Sequence, residues 1–164
     1  MKVFDSLKKK AEESKKVIVF PEGNDDRIIK AAVRLEKEGI VKPLLLGKPD
    51  EVIKTAQSLN VDLGSIEIIN PAVYPDFEKM CQDFVELRKG KNTLAEAKEI
   101  LQDVSYFGTM LVYEGKADGM VSGATHSTAN TVRPALQIIK TKKGMSRVSG
   151  AMIMERGDEK YIFA

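Results

Sequence analysis

One stretch of the sequence decides the fold: Asp118-Gly-Met-Val-Ser-Gly-Ala-Thr-His-Ser-Thr-Ala-Asn-Thr-Val-Arg-Pro-Ala-Leu136. Its start, Gly119 to Val121, predicts a short buried strand, and Ser122 with Gly123 predicts a tight turn. A helix follows, with apolar residues spaced for one buried face: Val132, Ala135, Leu136 and Ile139. This spacing places Pro134 in the first turn of that helix, where a missing N–H costs little.

The turn and the helix start are rich in hydrogen-bond donors. Small residues at the end of a strand, followed by hydroxyl side chains, predict free backbone N–H groups that bind an anion. Arg133, one turn into the helix, would add a charge-assisted contact to a phosphate or carboxylate. The alternative is that Ser127 or Thr128 simply caps the helix. The residues alone leave both interpretations open.

Composition excludes several classes of protein. The chain has 164 residues, of which 43% are hydrophobic and 30% charged, with a formal net charge of +2. These values are typical of an ordinary globular domain and do not indicate a nucleic-acid or membrane-surface partner. The charged N-terminal segment is unlike a signal peptide, and no apolar run is long enough to span a membrane. The single cysteine excludes an intramolecular disulfide and fits a cytoplasmic location.

Strand and helix signals alternate along the first half of the chain. Short apolar runs predict strands at 17–20, 42–46, 67–69 and 118–121. Helical patterns predict helices at 25–38, 49–59, 76–89, 93–101, 104–114 and 128–141. The alternation predicts a three-layer α/β/α fold with a doubly wound, mostly parallel sheet. The helices between 76 and 114 are expected to cover one side of it.

A family resemblance supports this fold and extends it to function. The segments Gly123 to Leu136 and Gly144-Met-Ser-Arg-Val-Ser-Gly150 resemble the signature of phosphate acetyltransferases. Pro21-Glu-Gly-Asn-Asp-Asp-Arg27 is similar to that family's first strand-to-helix turn. The resemblance runs from residue 1 to residue 164. It implies a sheet like that of the isocitrate/isopropylmalate dehydrogenases and a transfer of acetyl between phosphate and coenzyme A.

The resemblance also implies that this sequence covers the first part of a longer protein. Residues 1–147 are expected to form an N-terminal α/β domain that carries the phosphate-binding signature. Residues 148–164 are expected to be the first, truncated strands of a second domain, with strands at 148–154 and 161–164 around a turn at Arg156-Gly-Asp158. The catalytic base of the family falls in the absent part, so the isolated 164 residues are expected to be inactive. The full-length protein is expected to be a homodimer.

Site residues follow from the signature. The expected phosphate-binding residues are Thr125, His126, Ser127, Thr128, Asn130, Thr131 and Arg133. Arg88 and Arg147 belong to two basic clusters and are candidates for the phosphates of coenzyme A, although such residues also complement helix ends. Coenzyme A, acetyl-CoA, acetyl phosphate and phosphate are the expected small-molecule substrates. No permanently bound cofactor, metal, nucleic acid or membrane is expected.

Other interpretations of the chain remain open. A phosphate butyryltransferase would share the architecture, and a decarboxylating dehydrogenase would share the broad fold but needs a carboxylate cluster for its metal. A non-catalytic fragment is a third possibility. Cys81 lies in a helical apolar pattern and is expected to pack as a buried side chain rather than to act as a nucleophile. Glu22, Asp25 and Asp26 would reach the cleft, but acidic residues at a helix start need no function.

Overall fold

The structure, a computed structural model, describes residues 3–164. The strands are β1 (Val17–Phe20), β2 (Lys42–Leu46), β3 (Glu67–Ile69), β4 (Gly119–Met120), β5 (Met152–Arg156) and β6 (Glu159–Phe163). The helices are α1 (Val3–Ser14), α2 (Asp26–Lys37), α3 (Pro49–Ser58), α4 (Phe77–Leu87), α5 (Leu94–Ile100), α6 (Val104–Tyr113) and α7 (Thr128–Ile138), with a 3₁₀ turn at Pro71–Val73. None of the helices within residues 3–164 combines the length and apolar character that a membrane crossing requires.

Four strands form a parallel sheet in the order β3-β2-β1-β4. Successive residues of β2 face opposite sides, because Leu45 packs in one apolar cluster while Leu44 and Leu46 pack in the other. Helices α2 and α3 cover the side of the sheet to which Leu45 points, and α4, α5 and α6 cover the side of Leu44 and Leu46. The predicted three-layer parallel α/β fold is therefore confirmed. The narrower likeness to the isocitrate/isopropylmalate dehydrogenases stays a prediction.

The loop after β1 lies tightly against β2. The amide of Gly23 donates to the carbonyl oxygen of Leu46 at 3.1 Å. A Cβ atom at Gly23 would overlap that same carbonyl oxygen, which is backbone and has little freedom to move. A glycine is therefore needed here, and it holds the neighbouring Glu22 at the carboxyl edge of the sheet.

Helix α7 differs from the prediction in two ways. It begins directly after Ser127, so Pro134 is the seventh helical residue rather than a first-turn residue. Its buried residues are Pro134 and Ile138, whereas Val132, Leu136 and Ile139 are 43%, 50% and 47% exposed. The physical reason is that α7 packs against α6, and the contact with this neighbour decides which side of the helix is covered.

The C-terminal segment forms a sheet of its own. Strands β5 and β6 pair antiparallel as a hairpin, and most of their residues are exposed. The strand predicted at 148–154 begins only at Met152, since residues 148–151 are irregular. The hairpin is separate from the four-stranded sheet, and the proposed boundary after residue 147 stays a prediction.

Candidate functional site

The candidate site is built where β1 and β4 end side by side. These strands are parallel neighbours, with Ile18 opposite Gly119 and Val19 opposite Met120. Their carboxyl ends therefore deliver two loops to the same place, the loop at 21–25 before α2 and the loop at 121–127 before α7. The carboxyl edge of an open parallel sheet is where such folds bind ligands. We call the second loop, residues 121–127, the elbow.

A single carboxylate organises the elbow. The Oε2 atom of Glu22 accepts hydrogen bonds from the amides of Gly123 at 3.0 Å and Ala124 at 2.9 Å. The Oε1 atom accepts from the amides of Thr125 at 2.6 Å and His126 at 2.8 Å. The Thr125 hydroxyl at 3.1 Å and the Nδ1 atom of His126 at 2.9 Å complete the set around Oε1.

Glu22 is buried, with 3% of the residue exposed. Burial raises the pKa of this carboxyl group, because the charged form loses water. The amide and hydroxyl donors of the elbow lower the pKa by a larger amount, from an ordinary 4.5 to about 2. Glu22 is therefore an anion at neutral pH, and the hydrogen-bond donors of the elbow replace the water that the buried carboxylate has lost.

This arrangement decides which donors of the elbow are already used within the chain, while the expected phosphate-binding residues stay a prediction. The backbone amides of residues 123–126 are not free for a ligand, since they already donate to Glu22. The capping alternative is observed as well, because the Oγ atom of Ser127 accepts from the amide of Asn130 at 3.3 Å. The hydroxyl of Thr131 donates to the Ser127 carbonyl at 3.1 Å. The side chains of Thr125, His126 and Thr131 are thus engaged within the chain.

A second tie joins the two loops. Arg27, at the start of α2, donates to the carbonyl oxygen of Ala124 at 2.7 Å and pairs with the Asp25 carboxylate at 2.8 Å. The same carboxylate caps α2 by accepting from the Arg27 amide. The elbow is therefore held both through its amides and through one of its carbonyl groups.

A cavity of about 370 Å³ opens beside Glu22 and His126. The ends of β1, β2 and β3, the segment before α6 and the elbow all contribute to its walls. Its lining residues are Pro21, Glu22, Asn24, Leu46, Gly47, Lys48, Glu51, Asn70, Pro71, Ala72, Gln102, Val104, Thr125 and His126. We call this space the elbow cavity.

Helix α7 borders a second, smaller cavity of about 200 Å³. Asn130 and Arg133 line it together with Glu99, Ile100, Asp103 and Tyr106. Burial raises the pKa of Tyr106, and the positive charges of Arg133 and Arg88 act in the opposite direction. Both arginines are therefore close enough to influence the same phenol, although they are 45 residues apart in the sequence.

Comparison with known proteins now decides the family. Residues 2–164 match the sequence model of a family described as phosphate acetyl/butaryl transferase. The chain belongs to this family. A Staphylococcus aureus phosphate acetyltransferase is 57% identical over 146 residues, which are 89% of this chain and 44% of that protein. The Bacillus subtilis phosphate acetyltransferase is 49% identical over 162 residues, 99% of this chain and 50% of that protein.

Solved structures of the phosphate acetyl/butaryl transferase family show the same fold. The EutD phosphotransacetylase from Staphylococcus aureus superposes with a TM-score of 0.91 at 54% identity, over 98% of this chain and 48% of that one. A phosphotransacetylase from Streptococcus pyogenes superposes with a TM-score of 0.94 at 53% identity, over 100% of this chain and 51% of that one. The chain spans about half the length of the family members it matches.

Arg88 and Arg147, the two candidates for binding coenzyme A, lie in different parts of the chain. Arg88 caps the end of α4, and its Nε atom lies 3.3 Å from the side-chain oxygen of Asn92. Arg147 lies in the exposed, irregular connector before the hairpin. Within residues 3–164, no hydrogen bond or ion pair joins Arg147 to either cavity. The role of both arginines in binding coenzyme A stays a prediction.

Sequence reasoning missed the central role of Glu22. An acidic residue after a strand is common, and nothing in Pro21-Glu-Gly shows which loop it will meet. The one usable signal is the family turn at 21–27 read together with the strand order, because only the neighbouring position of β4 places the elbow over Glu22. Cys81, in contrast, is buried as expected, and burial raises the pKa of its thiol.

Proposed function

We propose that the whole protein is a phosphate acetyltransferase, which moves an acetyl group between acetyl phosphate and coenzyme A, and that this chain supplies one wall of its site. The observation that carries the proposal is the smaller cavity beside the start of α7, because the side chains of Asn130 and Arg133 line it. A guanidinium group such as that of Arg133 binds phosphate through paired donors, and the Asn130 side chain would add an uncharged contact. The match to the phosphate acetyl/butaryl transferase family supports an acyl-transfer reaction that involves this phosphate.

In this proposal, some signature residues contact the phosphate and the others hold the elbow and the start of α7 in place. Ser127, Thr128, Asn130 and Arg133 are exposed and are the proposed contacts to the phosphate. Thr125 and His126 belong to the anchored elbow, and Thr131 supports the start of α7. The phosphate is therefore held by side chains of α7 rather than by the backbone amides of the elbow.

The chemistry needs little more than positioning and charge. The thiol of coenzyme A attacks the carbonyl carbon of acetyl phosphate, and a C–S bond forms. The bond between that carbon and the bridging phosphate oxygen breaks, and phosphate leaves with the electron pair. The thiol proton passes to a base and from there to the medium or to phosphate. Positive side chains at the phosphate stabilise the charge that the leaving group gains. The base is assigned to the part of the relatives that lies beyond residue 164.

The binding of coenzyme A, which accepts the acetyl group, belongs to the same proposal. Arg88 and Arg147 are the proposed contacts to the phosphates of coenzyme A. Homodimer formation, a cytoplasmic location and the inactivity of residues 1–164 in isolation also belong to the proposal. The match to a family that covers acetyl and butyryl transferases leaves the acyl chain to direct assay with both acyl phosphates.

Arg133→Ala in the natural gene product tests the assignment. We expect kcat/KM for acetyl phosphate to fall about 10- to 100-fold, because one or two charge-assisted hydrogen bonds to phosphate are lost. Thioester formation is followed by absorbance, and thermal unfolding is recorded for the same sample. Arg34→Ala is the matched control, since Arg34 is exposed on α2 and pairs with Glu38. Equal kcat/KM in the wild type and Arg133→Ala would overturn the role of Arg133.

A further inference from the structure

The elbow carries a histidine whose partner determines what it offers to the cavity. We propose that Glu22 is a positioning residue that holds His126 with its Nε2 atom as a hydrogen-bond acceptor for an uncharged, amide-bearing part of the ligand in the elbow cavity. The identity of that ligand part, the pantetheine arm of coenzyme A, rests on the proposed function. The positioning role itself rests on the hydrogen bonds within this chain.

The first step concerns the tautomer of His126. An ionised carboxylate has no proton and only accepts hydrogen bonds. The Nδ1 atom of His126 lies 2.9 Å from Oε1 of Glu22, so Nδ1 carries the ring proton. In a neutral imidazole the other nitrogen, Nε2, is then the acceptor. The charge of Glu22 therefore selects the chemical character of the opposite side of the ring.

The second step concerns access. The Glu22 side chain is 1% exposed, whereas the His126 side chain is 23% exposed and lines the elbow cavity. A ligand in the cavity therefore has far more of the imidazole than of the carboxylate to contact. Because the only free ring nitrogen accepts, the matching ligand group is an N–H, O–H or S–H donor.

The third step concerns charge. The lining residues with permanent charges are Glu22, Lys48 and Glu51, and Lys48 pairs with Glu51 at 2.9 Å. Lys48 is the one cation among these lining residues, and its charge is already paired with Glu51, which disfavours a phosphate in this space. The remaining polar groups include the amides of Asn24 and Asn70. Such groups suit a neutral ligand with amide groups of its own, and the pantetheine arm has two amides and a thiol.

The fourth step explains why a carboxylate is required. Each oxygen of Glu22 receives at least two backbone N–H donors, from Gly123 and Ala124 on one side and from Thr125 and His126 on the other. A glutamine of the same shape must turn its NH₂ group towards one of these pairs, whichever way the amide is oriented. Glu22→Gln therefore leaves N–H groups facing N–H groups and releases the elbow.

Nuclear magnetic resonance of the natural gene product tests the positioning role. The imidazole ¹⁵N signals of His126 are identified by their disappearance in His126→Gln. In the pH range where the imidazole is neutral, we expect its proton on Nδ1 in the wild type, and a mixture of tautomers in Glu22→Gln. Hydrogen exchange at the amides of 123–126 is expected to be about 10- to 100-fold faster in Glu22→Gln, because charge-assisted bonds are lost. A wild-type proton on Nε2, or unchanged exchange, would overturn the proposal.

Titration with pantetheine, which has no phosphate, tests the ligand. We expect the Nε2 signal of the wild type to move as pantetheine is added, and inorganic phosphate to leave it in place. A response to phosphate and none to pantetheine would overturn the assignment. If Glu22→Gln does not fold, His126→Gln provides the test. Hydrogen exchange at the elbow amides should stay within about 2-fold of wild type, because the backbone donors to Glu22 remain. The affinity for pantetheine should fall. Unchanged pantetheine affinity in His126→Gln would contradict the proposal.

Kinetics separate this proposal from the proposed function. Glu22→Gln is expected to raise KM for coenzyme A about 10-fold while KM for acetyl phosphate changes less than about 2-fold. Glu12→Gln, which removes the same charge from the exposed side of α1, is the control. An equal rise in both KM values would mean a merely structural role. A natural gene product without transferase activity would refute the proposed function, while the tautomer and the pantetheine titration would still decide the role of Glu22.

Discussion

Replacing Glu22 with glutamine tests how strongly the elbow depends on one buried charge. The hydrogen bonds from residues 123–126 lower the pKa of Glu22 from 4.5 to about 2. This difference corresponds to roughly 3 kcal/mol of stabilisation at neutral pH, as an upper limit for one group. The sign follows from the direction of the change. A depressed pKa stabilises the folded state fully above pH 4.5, and the contribution is lost as the pH falls from about 4.5 to about 2.

The measurement is the free energy of unfolding in urea between pH 7 and pH 2.5, followed by circular dichroism. We expect wild type and Glu22→Gln to differ most at neutral pH and to converge as the pH approaches 2.5. Other carboxylates with lowered pKa values, such as Asp25 and Asp118, titrate equally in both proteins and cancel in the difference. Glu12→Gln should stay within about 0.5 kcal/mol of wild type throughout. Parallel curves for wild type and Glu22→Gln would refute the reasoning.

Three further predictions concern the surroundings of the site. Gly23→Ala should lower the free energy of unfolding by more than about 2 kcal/mol, because its Cβ would overlap the Leu46 carbonyl oxygen; urea denaturation measures it, and a neutral effect would show that the loop can move. Ser127→Ala should cost about 1 kcal/mol, since the cap on the Asn130 amide is lost; an unchanged melting temperature would contradict this cap. Cys81 should react with a thiol reagent only as fast as the protein opens, because the side chain is fully buried and burial raises its pKa; rapid labelling of the native protein would show otherwise.

The strands were predictable because their signals are local. β1, β2 and β3 have the predicted bounds, since each is a short apolar run covered on both faces and ended by a proline, a glycine or an asparagine. The helices were predicted to within a few residues at their ends. Their buried sides were less predictable, because α7 buries Pro134 and Ile138 where the spacing favoured Val132, Leu136 and Ile139.

The site was predictable only in part, for a similar reason. The elbow could be located from its composition, and the cap at Ser127 was one of the two interpretations that composition allowed. The occupant of its amides could not be found locally, because Glu22 belongs to another strand-to-helix connection. The hydrogen bonds that define the elbow join residues 101 to 104 positions apart. Periodicity and propensity carry no information about contacts at such separations.

The same sequence separation has a consequence for the order in which the molecule is made. During synthesis, Glu22 leaves the ribosome about a hundred residues before its donors do, as the separation of 101 to 104 positions requires. The segment around β1, β2 and β3 can pair while the nascent chain still lacks β4. The elbow forms when β4 docks on β1, so a completed elbow cavity reports that β4 has joined the sheet.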